Sequence, residues 1–184
     1  MELTGKLMTK KSILIIVVTL SFWSAATLAF AVGSRDRWRT ASEAELRKIV
    51  PARAAVISEN IETEFRTASG VIDSKGRFIA GVVMITAGYS AEGKYSHFFL
   101  TQAPLSIGNM NLQAGEYVFG TQRTSNDVIR VSFYRAASGE TLGDVEARLN
   151  RKSSAVRSLL ISAPAGGKAF IQIGRFVFEY RVRE

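Results

Sequence analysis

Phe176-Val177-Phe178-Glu179-Tyr180-Arg181-Val182-Arg183 is the stretch that decides the fold. Phe176, Phe178, Tyr180 and Val182 alternate with Val177, Glu179, Arg181 and Arg183. Successive side chains of a strand point to opposite faces. The first set therefore predicts a core face and the second a face mostly in water.

The same grammar runs backwards through the chain. Val145, Ala147 and Leu149 alternate with Asp144, Glu146 and Arg148, and residues 156–161 and 169–173 read as strands around Pro164-Ala165-Gly166-Gly167. Ser138-Gly139, Ser125-Asn126, Ala114-Gly115 and Gly108-Asn109-Met110-Asn111 punctuate the runs at 128–134, 116–121, 105–107 and 95–102. Residues 78–87 read as a buried central strand, preceded by a hairpin turn at Asp73-Ser74-Lys75-Gly76. Ile57, Ile61 and Phe65 fit helical and strand spacing alike, while Thr63, Thr67 and Val71 favour strand. About eight short antiparallel strands, with no βαβ rhythm, predict an all-β sandwich or barrel over residues 54–184.

Residues 32–53 form a lead-in. Ser42-Glu43-Ala44-Glu45 has capping-box spacing, predicting a short helix over 43–50 that Pro51 stops, with Ala44, Leu46, Ile49 and Val50 on its apolar face. Residues 1–31 carry Lys6, Lys10 and Lys11 ahead of an uncharged run from Ser12, closed by Ala29-Phe30-Ala31. That pattern predicts an export signal cut after Ala31, with Ala29 and Ala31 read by the peptidase. Its alternative is a retained anchor, since about 20 apolar residues span a bilayer. Either way the domain is expected outside the cytoplasm, periplasmic or extracellular, or held at the inner membrane through residues 12–31.

The chain has no cysteine, which removes disulfides, thiol catalysis and thiolate metal sites. From residue 32 onward 21 basic residues face 15 acidic ones, and 16 of the basic residues are arginine. The basic residues are spread out rather than run together. An anionic envelope polymer or another envelope protein is the partner this suggests, and nucleic acid is not.

No catalytic template fits. His97 is the single histidine, so no metal centre is expected, and no cofactor. Gly166-Gly167-Lys168 echoes a P-loop, but Ser162 stands where its first glycine belongs and Ala169 where a hydroxyl should follow the lysine. No G-x-S-x-G elbow occurs. Glu62 with Glu64, and Asp144 with Glu146, share strand faces without forming a cleft.

The segment Thr86-Ala87-Gly88-Tyr89-Ser90-Ala91-Glu92 places an aromatic at a loop tip after an apolar strand. Aromatics there supply contact area at low entropic cost. Tyr89, Ser90, Tyr95 and His97 are the candidate binding residues, His97 sharing a strand face with Tyr95 and Phe99. The segment from Thr86, with Leu112, Ala114, Gly115, Tyr117 and Gly120 beyond it, resembles a family of small secreted bacterial β-rich proteins of unknown function. The resemblance spans residues 80–182, implies an exported β-rich domain and carries no activity. The expected function is a non-enzymatic binding or structural module of the cell envelope. Its rivals are a serine-type hydrolase using His97 with Ser90 or Ser96, and a subunit of a larger assembly joined through an exposed edge at residues 176–182.

Overall fold

The computed structural model describes residues 37–152, 154–165 and 169–183. The described residues all lie in the second of two units, Asp36–Glu184. The export segment, with Ala29 and Ala31, and Gly166-Gly167-Lys168 lie outside the described residues. No helix among the described residues is long and apolar enough to cross a membrane.

The elements of the second unit are β1 (Arg39–Thr40), α1 (Glu43–Ile49), β2 (Arg53–Val56), β3 (Glu59–Ile72), β4 (Phe78–Met84), β5 (His97–Thr101), β6 (Leu105–Ile107), β7 (Met110–Leu112), β8 (Gly115–Arg123), β9 (Val128–Arg135), β10 (Thr141–Leu149), β11 (Arg157–Ile161), β12 (Ala169–Gly174) and β13 (Phe176–Val182). They form a mostly antiparallel-β structure whose main sheet curls into a half-barrel in the order β1-β3-β4-β5-β8-β9-β10-β13-β12-β11. β2 pairs with the start of β3, and the β6–β7 hairpin attaches to the end of β13. More strands appear than the eight expected. Residues 53–72 fold as a hairpin with a two-residue connection, and residues 105–112 as another made of three-residue strands too short to read from periodicity.

Two apolar cores lie on the two faces of the same strands. Phe99, Phe119, Phe133 and Phe178 fill the inner face, with ring centroids 5.1–6.4 Å apart. Phe98, Leu100, Val82 and Val118 point the other way, into a second core covered by α1, β2 and residues 85–96. Double coverage is why β5 is buried along its whole length and lacks a polar face. In β13, by contrast, Phe176, Phe178 and Tyr180 are buried while Glu179 and Arg181 are exposed, as the alternation predicts. β13 is paired on both sides, with β12 along one and with β10 then β6 along the other, so it is not an exposed edge.

Local chemistry sets the connections. Asp73 is buried and accepts hydrogen bonds from the Lys75 and Arg77 backbone N–H groups and from Arg77 Nε at 2.7 Å, fixing the turn in which Gly76 has φ 82°. In α1 the Ser42 hydroxyl accepts from Glu45 N–H while the Glu45 carboxylate accepts from Ser42 N–H. Leu46 and Val50 are buried and Ile49 half-buried, but Ala44 is exposed. Ala44 lies two residues before Leu46, roughly 200° around the helix, so the docked face excludes it.

The half-barrel brings its last strand back over its first ones. A β-carbon at Gly81 in β4 would lie 2.9 Å from Leu159 Cδ2 and 3.1 Å from the Phe98 carbonyl oxygen. Glycine there lets β11 approach. The Ile161 N–H of β11 donates to Ser69 Oγ of β3 at 2.9 Å, a side-chain contact across the seam where a backbone ladder would otherwise run.

Candidate functional site

β4 ends at Met84, earlier than the sequence suggests, because residues 85–96 leave the sheet as consecutive turns. Tyr89 N–H donates to the Thr86 carbonyl, Glu92 N–H to Tyr89, and Lys94 and Tyr95 N–H to Ala91. Gly88 (φ 85°) and Gly93 (φ 76°) supply the left-handed positions these turns need. The segment folds against β8 so closely that a β-carbon at Gly120 would sit 2.0 Å from the Lys94 carbonyl oxygen.

The β2–β3 hairpin meets this segment at its tip. Ser90 Oγ donates to Glu59 Oε2 at 2.5 Å, and Ser90 N–H to Glu59 Oε1 at 3.2 Å. These bonds, the hydroxyl's first, hold the Glu59 carboxyl below its usual range. Ile57 begins the two-residue connection with φ 56°, a left-handed conformation costly for a β-branched residue. Its side chain is nevertheless 54% exposed, and its N–H donates to the Ala136 carbonyl. Ile85, 46% exposed, is tied by its N–H to the Glu62 carbonyl on the same hairpin. The outcome is a surface of Ile57, Ile85, half-buried Tyr89, and the Ser90–Glu59 pair.

Tyr95 lies beneath this surface rather than on it. It is 3% exposed and packs edge-on to Tyr134 at 5.0 Å; its buried hydroxyl has no close hydrogen-bond partner among the described residues, but lies near enough to the Lys94 ammonium to raise the lysine's pKa. The Lys94 ammonium lies 5.0 Å from the centroids of both rings, within cation–π reach.

His97 is not part of the surface. Contrary to expectation it shares its face with Phe99 but not with Tyr95, since Tyr95 precedes the strand and packs into the outer core. Its ring stacks on Phe119 at 4.6 Å and 11° on the inner face. Nδ1 lies 2.8 Å from Ser96 Oγ and Nε2 3.5 Å from the Ser158 carbonyl oxygen. Burial pushes its pKa down to about 4, against an opposing pull from that carbonyl. A neutral imidazole with Nε2–H directed at Ser158 leaves Nδ1 to accept the Ser96 proton. No carboxylate faces Nε2 among these contacts, and the Ser158 carbonyl offsets only part of the cost of burying an imidazolium.

Of the four residues singled out from sequence, Tyr89 and Ser90 thus belong to one surface, Tyr95 supports it, and His97 sits apart. Ile57, Glu59 and Lys94 were missed. An isoleucine at a hairpin tip has no turn signature, and the partner of Glu59 is 31 residues away. Among the described residues no three His, Asp or Glu side chains gather as a metal site. An open groove of about 490 Å³ at the far end of β5 and β8 is lined by Ile49, Arg77, Gln102 and Glu116 among others, and Arg77 is engaged there by Asp73.

Comparison of the chain with protein-family models, with curated proteins and with solved structures finds no significant match.

Proposed function

We propose that this chain is an exported, non-enzymatic binding module of the cell envelope, a barrel-like β-domain that recognises a partner protein through Ile57, Ile85, Tyr89 and Ser90. The observation that carries the reading is Ile57. A β-branched side chain held at φ 56° and left 54% exposed costs folding stability and gains little core. Strain of that kind persists where the surroundings impose it and clusters at recognition sites. The Ser90–Glu59 bonds hold the neighbouring turn in place, so the surface is formed before binding.

The test is binding of residues 32–184 to isolated envelope fractions, at low and high salt, beside the Ile57→Gly and Tyr89→Ala variants. Saturable binding that survives high salt and weakens at least 10-fold in both variants, about 1.4 kcal/mol, supports the reading. Unchanged binding by both variants removes this surface from the function.

The serine-hydrolase reading rests on the 2.8 Å contact between Ser96 Oγ and His97 Nδ1. It requires that a serine-reactive phosphonate label the folded protein and that His97→Ala abolish the labelling.

A further inference from the structure

The arginines, scattered in sequence, are not scattered in space. The strand registers bring three connections to one end of the sheet: residues 124–127 between β8 and β9, residues 150–152 and 154–156 between β10 and β11, and Arg175 between β12 and β13. Leu149 N–H donates to the Asp127 carbonyl, Asn150 N–H to the Arg175 carbonyl, and Arg157 lies opposite Gly174. Arg123, Arg148, Arg151, Lys152, Arg157 and Arg175 all project from this rim and all are exposed.

Only part of this charge is answered locally. Asp127 pairs with Arg151 at 2.5 Å and Glu146 with Arg148 at 2.7 Å. Arg123 lies 5.2 Å from the Phe176 ring centroid and reaches only backbone carbonyls of its own loop. Lys152, Arg157 and Arg175 have no acidic partner among the described residues. In the middle of this charge sits Val156, 68% exposed and the most exposed large apolar side chain among the described residues. It is held there. Gln172, 4% exposed, donates through Nε2 to the Ala155 carbonyl at 2.9 Å and to the Gly174 carbonyl at 2.8 Å, clamping the loop and the β12–β13 turn together.

We propose that this rim docks on the surface of a bilayer rich in anionic lipid. Clustered arginine meets the phosphate headgroups, and Val156 enters the boundary beneath them. A soluble polyanion would satisfy the arginines and leave Val156 in water, which is why the bilayer is the occupant the side chains favour. The surface is separate from the one around Ile57 and does not depend on it.

Among the described residues both apolar cores draw on side chains between Trp38 and Val182, all of them in the second unit. Sedimentation of residues 32–184 with vesicles of pure phosphatidylcholine, or of phosphatidylcholine with phosphatidylglycerol, reads the interaction directly. Binding to the anionic vesicles alone is the expected result. Arg157→Gln with Arg175→Gln, both exposed, should weaken it about 10-fold or more. Val156→Asn should retain binding at low salt and lose it at high salt, where charge is screened. Ile57→Gly should bind vesicles as the parent does, so failure of the partner-protein reading leaves this result unaffected. Equal binding to neutral vesicles overturns the proposal, as does a double variant, folded by circular dichroism, that binds undiminished. Binding of soluble polyphosphate as tight as that of vesicles, with Val156→Asn indifferent in both, overturns it too.

Discussion

Ile57 leans over Gly139: its Cδ1 lies 2.8 Å from where a β-carbon on Gly139 would be, and the Tyr95 hydroxyl lies 3.1 Å from the same point. Gly139 itself has φ 70°. Hairpin tip, turn and buried tyrosine therefore share one small volume. Gly139→Ala should cost about 1–3 kcal/mol in chemical denaturation, from backbone strain and the two contacts together. A loss below measurement error would mean the three elements are not in register.

Ile57→Gly should act in the opposite sense on stability. Glycine adopts φ 56° without penalty, and the lost side chain is more than half exposed. The variant should be as stable as the parent or about 1 kcal/mol more stable, whatever happens to partner binding. A destabilisation above 2 kcal/mol would show that Ile57 serves the core.

Tyr95→Phe tests the unpartnered hydroxyl. A buried hydroxyl without a hydrogen bond carries a desolvation cost of about 1–3 kcal/mol, and the ring contact with Tyr134 survives the substitution. Stability should stay level or rise. A clear loss would show that the Lys94 ammonium beside the ring answers the hydroxyl.

Gly120→Ala should be the most damaging single methyl group in the domain. The Lys94 carbonyl occupies the space at 2.0 Å, and it is backbone rather than a flexible side-chain end. Either residues 85–96 move off β8 or the protein loses about 3 kcal/mol or more. Amide shifts in residues 85–96 distinguish displacement from global unfolding.

His97 predicts an acid-sensitive window. Its pKa falls from an ordinary 6.5 to about 4 on folding. Between those values the unfolded chain binds the extra proton and the native state does not. Stability is therefore complete above about pH 6.5 and declines as pH falls towards 4, by at most about 3 kcal/mol. Denaturation midpoints of the parent and of His97→Phe should converge in pH dependence only outside that window. An identical slope for both between pH 4 and 6.5 would remove His97 as the cause.

Sequence pattern revealed the strands with one wet face, and those alone in detail. β13 and β10 were readable because Glu179, Arg181, Asp144 and Glu146 mark solvent at alternate positions. β5 has no such marks, being covered on both sides, and its start was misplaced by two residues at Tyr95. The capping box placed α1 because both of its bonds are local. The Ser90–Glu59 contact and the basic rim were illegible for the converse reason: each joins residues that only the sheet register brings together. Even spacing of charge along the chain concealed its concentration at one end.

The seam between β3 and β11 sets how the molecule breathes. Elsewhere each neighbouring pair of strands on the path is joined by a backbone ladder, two residue pairs long at β1–β3 and β10–β13 and longer at the others, so separating them breaks backbone bonds. Here the described direct tie is a single serine hydroxyl on the Ile161 amide, backed by apolar contact such as Leu159 against Gly81. Amides of β11 that point into the seam should exchange with deuterium well before those of β5 or β8. The wall of the half-barrel thus has a preferred line of parting, and it runs past the carbonyl of Ser158 that His97 faces.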